Sequence, residues 1–366
     1  MTTLARRCFL LVLLAAPLAA SAQGIDAVLT GTVTDAATGR PIADANVFIA
    51  SSMMGTTTDA DGRYRIPAVP LGTLRLYVSI VGYEPDYVDL FVRRPGTYTN
   101  DFVLAEAIVE IGEITVTSDN KKWKRQLEKF TRLFIGETPN AAQTEIVNAE
   151  VLDFEARGGD FRAHASEPLV IENRALGYRV TYFLKEFIAT PNRTKYDGEP
   201  LFEELSASSP EEKALWKARR DSAFYGSFRH FMLAALNGRV EDQGFEIFSR
   251  PASGFGSSTR LQGSQRYPIR LDEILHDGET DDEKIIDFEG FVEIVYTQEE
   301  ESQAYLDWTN QRRRPRFRTS MIRVENGPAV VDRKGDVLDP YGVTFYGYLA
   351  FERVADEVPK EYRPWN

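Results

Sequence analysis

The strongest constraint on this chain is a train of turn residues over residues 27–104, which cuts the sequence into runs too short for helices. Leu29, Gly31 and Val33 alternate with threonines and lead into the turn Asp35-Ala-Ala-Thr-Gly39. After Pro41, Ala45-Asn-Val-Phe-Ile-Ala50 reads as a buried strand, and Asp59-Ala-Asp-Gly62 as a tight turn before alternation resumes at Tyr64 and Ile66. Leu74, Leu76, Val78 and Ile80 share one face of a strand ending at Gly82-Tyr83, and residues 87–92 and 98–104 supply two more. Six or seven short strands in about 80 residues make a β-sandwich, since strand periodicity is two and each run buries one face.

The same residues carry a resemblance. The order Gly31-x-Val33-x-Asp35, Gly39-x-Pro41-Ile42-x-x-Ala45-x-Val47, Gly55-Thr-Thr-Thr-Asp59-x-x-Gly62-x-Tyr64 and Ser79-x-x-Gly82-Tyr83 resembles the carboxypeptidase regulatory-like domain. That is a transthyretin-like sandwich of cell-envelope proteins of the Bacteroidetes kind. The resemblance implies a fold and a compartment. It does not imply peptidase activity, because in zinc carboxypeptidases this module is accessory to the catalytic domain.

The start of the chain agrees on compartment. Arg6 and Arg7, an apolar run from Phe9 to Leu18 and the exit Ala20-Ser21-Ala22 read as a secretory signal over residues 1–22, cleaved before Gln23. No later stretch approaches the length of apolar sequence that spans a bilayer. Cys8, the single cysteine, lies inside that signal without a lipoprotein box around it. The processed chain is therefore expected to lack disulfides, a cysteine nucleophile and thiolate metal ligands. Its 55 acids against 43 bases, a formal charge of −12 that becomes −14 without Arg6 and Arg7, oppose a nucleic-acid partner. The one cationic cluster is Arg312-Arg313-Arg314 with Arg316 and Arg318, expected as a solvated rim that pairs with Glu299-Glu300-Glu301.

Beyond the sandwich, placed at residues 25–105, residues 106–120 read as a linker or closing strand. Within it Glu110-Ile-Gly-Glu-Ile-Thr-Val-Thr117 resembles the segment that follows this module in TonB-dependent outer-membrane transporters, but the remaining about 250 residues lack the alternating spans of such a barrel. Residues 121–366 form a second domain. Trp123, Leu127, Phe130 and Phe134 lie on one helical face, Gly136 stops that helix, and Thr138-Pro139 starts a short successor. Residues 151–165 and 168–190 read as hairpin strands, 211–225 as a helix, and a further helix runs from near Ser227 to Asn237-Gly238. Residues 245–248, 285–297, 321–324 and 343–353 read as strands, and 254–264 as a loop. The fold class is α+β: an N-terminal antiparallel β-sandwich followed by a mostly antiparallel β domain with three or four helices. Leu176-Gly177-Tyr178, Trp216-x-x-Arg219-Arg220-x-x-Ala223-Phe224-Tyr225-Gly226-Ser227-x-x-His230-Phe231 and Arg353-Val-Ala-Asp356 are similar to the C-terminal region of uncharacterised envelope proteins that carry this module.

Candidate chemistry is sparse. His164-Ala-Ser-Glu167 with the distant His276 imitates the ligand order of zinc carboxypeptidases. However, His164 sits in an alternating strand, the flanking glycine-rich turn is missing, and Asn173-Arg174 follows too soon for a substrate clamp. Registering Gly62 at position six of a calcium loop puts Thr57 at position one and Ala68 at twelve, so that loop fails at both ends. No metal or cofactor is expected. No phosphate loop or dinucleotide fingerprint occurs, and widely spaced glycosidase carboxylates leave no local pattern to read.

The one polar constellation is Arg219, Arg220, Tyr225, Ser227 and His230 at a helix-glycine-helix junction. There a helix start and an arginine fork could hold an anionic peptide terminus or acidic sugar. The competing reading makes Ser227 a helix cap, the aromatics core, and the arginines surface partners of Glu211, Glu212 or Asp221. The chain is accordingly expected to be a non-catalytic, exported envelope binding or assembly protein, periplasmic, outer-membrane-associated or secreted, with an envelope protein or glycan as partner. The alternatives are a hydrolase of peptide or glycan with its site in the second domain, or an accessory of TonB-dependent transport.

Overall fold

The computed structural model describes residues 27–107, 121–250, 265–280 and 283–365. The expected signal, most of the expected linker and the Gly/Ser-rich loop at 254–264 lie outside the described residues. The strand train closes into two sheets around one core. The first is centred on Ala27–Asp35, paired antiparallel with Arg63–Val69 and parallel with Thr97–Thr99 and Phe102–Leu104. The second runs Gly55–Thr57, Asn46–Ile49, Gly72–Ser79, Asp86–Val92, all antiparallel. Apart from these two parallel pairs the sandwich is antiparallel, as expected. The parallel pairs arise because the chain crosses over to the second sheet and returns to the free edge of its first strand. Leu29, Val33, Val47, Ile49, Ile66, Leu74, Leu76 and Val78 fill the space between the sheets. At the Asp59 turn, the carboxylate accepts from the N–H groups of Asp61 and Arg63, and Gly62 takes φ +71° with Val33 O where a Cβ would stand.

The second part holds a six-stranded sheet built on the long strand Tyr178–Ala189. Thr194–Glu204 pairs along one side of it, and Leu169–Asn173 and Asp160–Ala165 share the other; Leu152–Arg157 and Thr144–Ile146 complete the edges. Helix α1 (Lys121–Phe134) lays its stripe on this sheet, where Phe130 and Phe134 are fully buried and meet Phe187 edge-on. Helix α2 (Pro210–Phe224) begins with Ser209 accepting from Glu212 N, with Pro210 in its first turn. Helix α3 (Phe228–Leu236) begins at Ser227, whose side chain accepts from His230 N. A five-stranded sheet follows, in the order Tyr267–Pro268, Phe245–Arg250, Phe291–Glu300, Phe317–Val324, Val343–Gly347. A three-stranded one contains Leu275–Asp277, Glu283–Ile286 and Ala329–Asp332.

Two strand expectations are corrected here. Residues 285–297 are not one strand: Glu283–Ile286 and Phe291–Glu300 belong to different sheets, with a turn at Gly290 between them. Residues 343–353 are strand only to Gly347, where φ +71° turns the chain into α5 (Tyr348–Phe351). With α4 (Gln303–Trp308), the described residues contain five α-helices, because α4 and α5 are too short to leave a readable period.

The two parts meet in a packed contact. Phe48 of the sandwich stacks on Phe183 at 4.8 Å, and Tyr77 and Leu201 close around them. Main-chain bonds join Ser51 N to Pro200 O (2.8 Å), Phe202 N to Ser52 O (2.9 Å) and Lys360 N to Ser51 O (2.8 Å). Arg75 bridges Asp89 of the sandwich and Glu199 of the second domain, at 2.8 and 3.2 Å.

Candidate functional site

The α2–α3 junction brings the five candidate residues close together but turns the chemistry of most of them inward. Arg220, only 9% exposed, donates Nε to Leu176 O (2.6 Å) and Nη2 to Gly177 O (3.1 Å), pairs with Glu204 (2.5 Å), and lies 3.9 Å from the Tyr178 ring centre. Its partners are thus carbonyls of the hairpin turn 174–177 and Glu204, and not Glu211, Glu212 or Asp221. Trp216, four residues earlier, donates to Arg174 O and packs on Gly177, where a Cβ would stand 2.2 Å from the indole. Arg219 donates to Gln143 Oε1 at 3.1 Å.

His230, 2% exposed, accepts from Gly226 N through Nδ1, so the ring proton sits on Nε2 and is donated to Gln243 Oε1. Burial lowers its pKa, opposed by the Gln243 bond, and Phe224, Tyr225, Phe245 and Tyr296 enclose the ring. Ser227 caps α3. The Tyr225 carbonyl accepts from Arg318 at 3.2 Å. The paired motifs in the sequence therefore meet as one structural hub.

His164 and His276 occupy different sheets, in the strands Asp160–Ala165 and Leu275–Asp277, and both are exposed. Among the described residues no three His, Asp or Glu side chains gather in a metal-holding group.

A larger concavity adjoins the α2–α3 junction, whose Ala223, Ser227, Phe228 and Arg229 form part of its wall. A cleft of about 2270 Å³ opens between the Tyr178–Ala189/Thr194–Glu204 hairpin, the five-stranded sheet and the segment 335–358. Its wall carries aromatics from several elements, among them Tyr196, Tyr305, Trp308, Phe317 and Tyr346. It also carries carboxylates held by fixed partners. Glu301 is gripped by both Nη atoms of Arg313 (2.6 and 2.8 Å) and accepts from Arg316 N (3.1 Å). Glu293 pairs with Arg250 and with Arg266 at 2.9 Å.

Three further carboxyls, Glu352, Asp356 and Glu357, come from the C-terminal end of α5 and the 3₁₀ turn Val354–Asp356 that follows it. Asp356 accepts from Thr138 (2.9 Å) and Asn140 (2.9 Å), which explains why Thr138 and the Arg353-Val-Ala-Asp356 motif belong together. Burial raises the Asp356 carboxyl to about 6 against those hydrogen bonds. Glu352 is pushed up to about 8, first by burial and then by the charge of Asp356, with Arg318 at 3.7 Å opposing. Burial lifts Glu357 to about 7. Glu352 nonetheless keeps 16% of its side-chain surface open, so these acids are walled by protein yet reachable from the cleft. A carboxyl that stays protonated near neutral pH can donate a hydrogen bond or a proton.

Fold and cleft together define a class: a small transthyretin-like sandwich docked on a larger α+β domain that carries the concave surface. Residues 28–105 match the carboxypeptidase regulatory-like domain family, and the chain carries that domain. No curated protein matches the chain.

Among solved structures, a cohesin–X-dockerin complex from Acetivibrio cellulolyticus is 18% identical over 22% of this chain, with a TM-score of 0.20; the match spans 58% of that chain. The 5-hydroxyisourate hydrolase of Klebsiella pneumoniae is 18% identical over 22% of this chain and 91% of its own, with a TM-score of 0.18. A putative carbohydrate binding protein from Bacteroides uniformis is 14% identical over 44% of this chain and 61% of its own, with a TM-score of 0.20. None of these likenesses transfers chemistry.

Proposed function

We propose that this is an exported, non-catalytic binding protein of the cell envelope whose second domain takes its ligand in the cleft and whose sandwich is a docked accessory arm. The observation that supports this reading is the cleft itself. Its volume of about 2270 Å³ exceeds the roughly 300–1,000 Å³ of small-molecule pockets, and its mixture of aromatic faces, guanidinium groups and carboxylates suits an extended polar chain. The test is affinity capture from crosslinked envelopes with the wild-type protein and with Ala350→Trp, which adds an indole at the cleft wall and removes no hydrogen bond of its own side chain. A partner retained by the wild type and lost by the variant supports the reading. Equal capture by both, with unchanged circular dichroism, would falsify the cleft as the ligand site.

A hydrolase is the second reading, favoured by the raised Glu352 and Glu357 carboxyls, because a general acid must hold its proton near working pH. Incubation with peptide and glycan substrates separates the two. Turnover that disappears in Glu352→Gln while binding persists would establish catalysis.

A further inference from the structure

One rim of the cleft has cations left over. Residues 308–317 run from the end of α4 to the start of the strand Phe317–Val324, and Glu301 anchors them. Its carboxylate holds the Arg313 fork and Arg316 N, and its own N–H donates to Arg316 O at 2.7 Å. Asn310 in the left-handed region (φ +51°) and the bond from Gln311 N to Leu306 O (2.8 Å) fix the turn out of α4. The loop is therefore shaped by its own bonds before any ligand arrives. That anchoring consumes Arg313 alone. The guanidinium groups of Arg312, Arg314 and Arg316 are exposed and have no acidic partner among the described residues, although the chain holds 55 acids. At the two ends of the same loop, Trp308 and Phe317 present apolar ring faces to water, 41% and 49% exposed.

Each surface selects a feature of the ligand. Free guanidinium forks pair bidentately with carboxylates or phosphates. Flat, exposed rings cover the C–H faces of a sugar or the π-face of a base. The cleft wall and the net charge decide between these: the carboxyl groups of Glu293, Glu301, Glu352 and Asp356 offer hydrogen-bond partners to hydroxyls, and the formal charge of −12 opposes a chain with one phosphate at every unit. A ligand with scattered acid groups, many hydroxyl donors and apolar ring faces satisfies all three conditions.

We propose that the 308–317 rim and the adjoining cleft bind an acidic oligosaccharide, with Arg312 and Arg316 gripping uronate carboxylates, Trp308 and Phe317 covering sugar faces, and the cleft acids taking hydroxyls. This deepens the reading of the cleft as the ligand site and rests on it.

The experiment measures binding by calorimetry to oligogalacturonate, oligomannuronate and hyaluronan fragments, each beside its carboxyl-reduced neutral counterpart, with a single-stranded oligonucleotide as the polyphosphate control. At least one uronate series should bind saturably and more weakly as salt rises. Arg312→Gln/Arg316→Gln, both exposed and unpaired, should weaken it about tenfold or more while leaving the neutral counterpart unchanged. Trp308→Ala should weaken both forms.

The inference is overturned by no binding to any uronate series, by neutral or oligonucleotide ligands binding as tightly, or by an unchanged arginine double variant. Those failures remain distinct from failure of the cleft reading, which is judged by whether Ala350→Trp loses the envelope partner.

Discussion

At Arg220 a guanidinium sits where a surface pair was expected, and its environment sets what its removal does. Arg220→Ala withdraws donors from the Leu176 and Gly177 carbonyls and leaves Glu204 and the Tyr178 ring without their cation. The expected loss is about 2–3 kcal/mol in urea unfolding, against at most about 1 kcal/mol for an exposed pair. Arg220→Lys should recover little of it, because an ammonium cannot reproduce the fork.

Glu352 carries the opposite sign. Its carboxyl holds a proton up to about 8 in the folded chain but releases it near 4.5 in the unfolded one. Folding therefore takes up a proton between those values, and stability falls as pH rises through the window. Glu352→Gln should stabilise the protein at pH 8 by on the order of 1–2 kcal/mol and lose that advantage below about pH 4.5, read from thermal melts across pH. Asp336 works the other way. Burial would raise it, but Arg229 and Lys360 hold it at about 2, so its contribution is present above about 3.8 and fades as acid approaches 2.

At the scale of elements, caps and periods were legible where one helix or one turn decides the matter locally. Helices α1 and α3 lie where the Trp123–Phe134 spacing and Gly226-Ser227 put them, and α2 covers the helix expected over 211–225. Ser227→Ala should therefore cost about 1 kcal/mol through the lost cap, measured by denaturant unfolding, with partner capture unchanged. The strand Thr194–Glu204 was not read at all, because Gly198, Pro200 and its acids argue against a strand. It forms because the long neighbour Tyr178–Ala189 supplies the ladder and the backbone at Gly198 approaches it closely. A Cβ there would stand 2.4 Å from the Tyr182 ring and 2.6 Å from Phe183 O, so Gly198→Ala should destabilise by about 2–3 kcal/mol.

At the scale of the molecule, the sandwich is bound to the second domain by aromatic stacking, main-chain bonds and a buried-edge ion pair. A protease site inserted between residues 107 and 121 would cut the connection without touching that contact. The expected outcome is two fragments that co-elute in the wild type. They should separate in Phe183→Ala, where loss of the ring facing Phe48 and Tyr77 removes about 3 kcal/mol. Co-elution of the variant fragments would show that the polar bonds at Ser51, Ser52 and Arg75 suffice.

The amino-acid sequence by itself determined the sandwich, since turn residues at set offsets and a period of two act through neighbours close along the chain. It also determined the three longer helices and the serine cap of α3. Tertiary structure decided which side chains face one another. Arg220 and His230 were drawn inward by carbonyls and rings contributed from a distant turn and distant strands. Residues 285–297 were divided between two sheets. Glu352 and Glu357, among 55 acids and marked by no pattern, and Asp356, picked out only as the end of a motif without chemistry, became distinctive only when packing took water from around them and set them beside one another. Local signals act over a few residues, whereas burial and electrostatic coupling depend on distances that exist only in the folded chain.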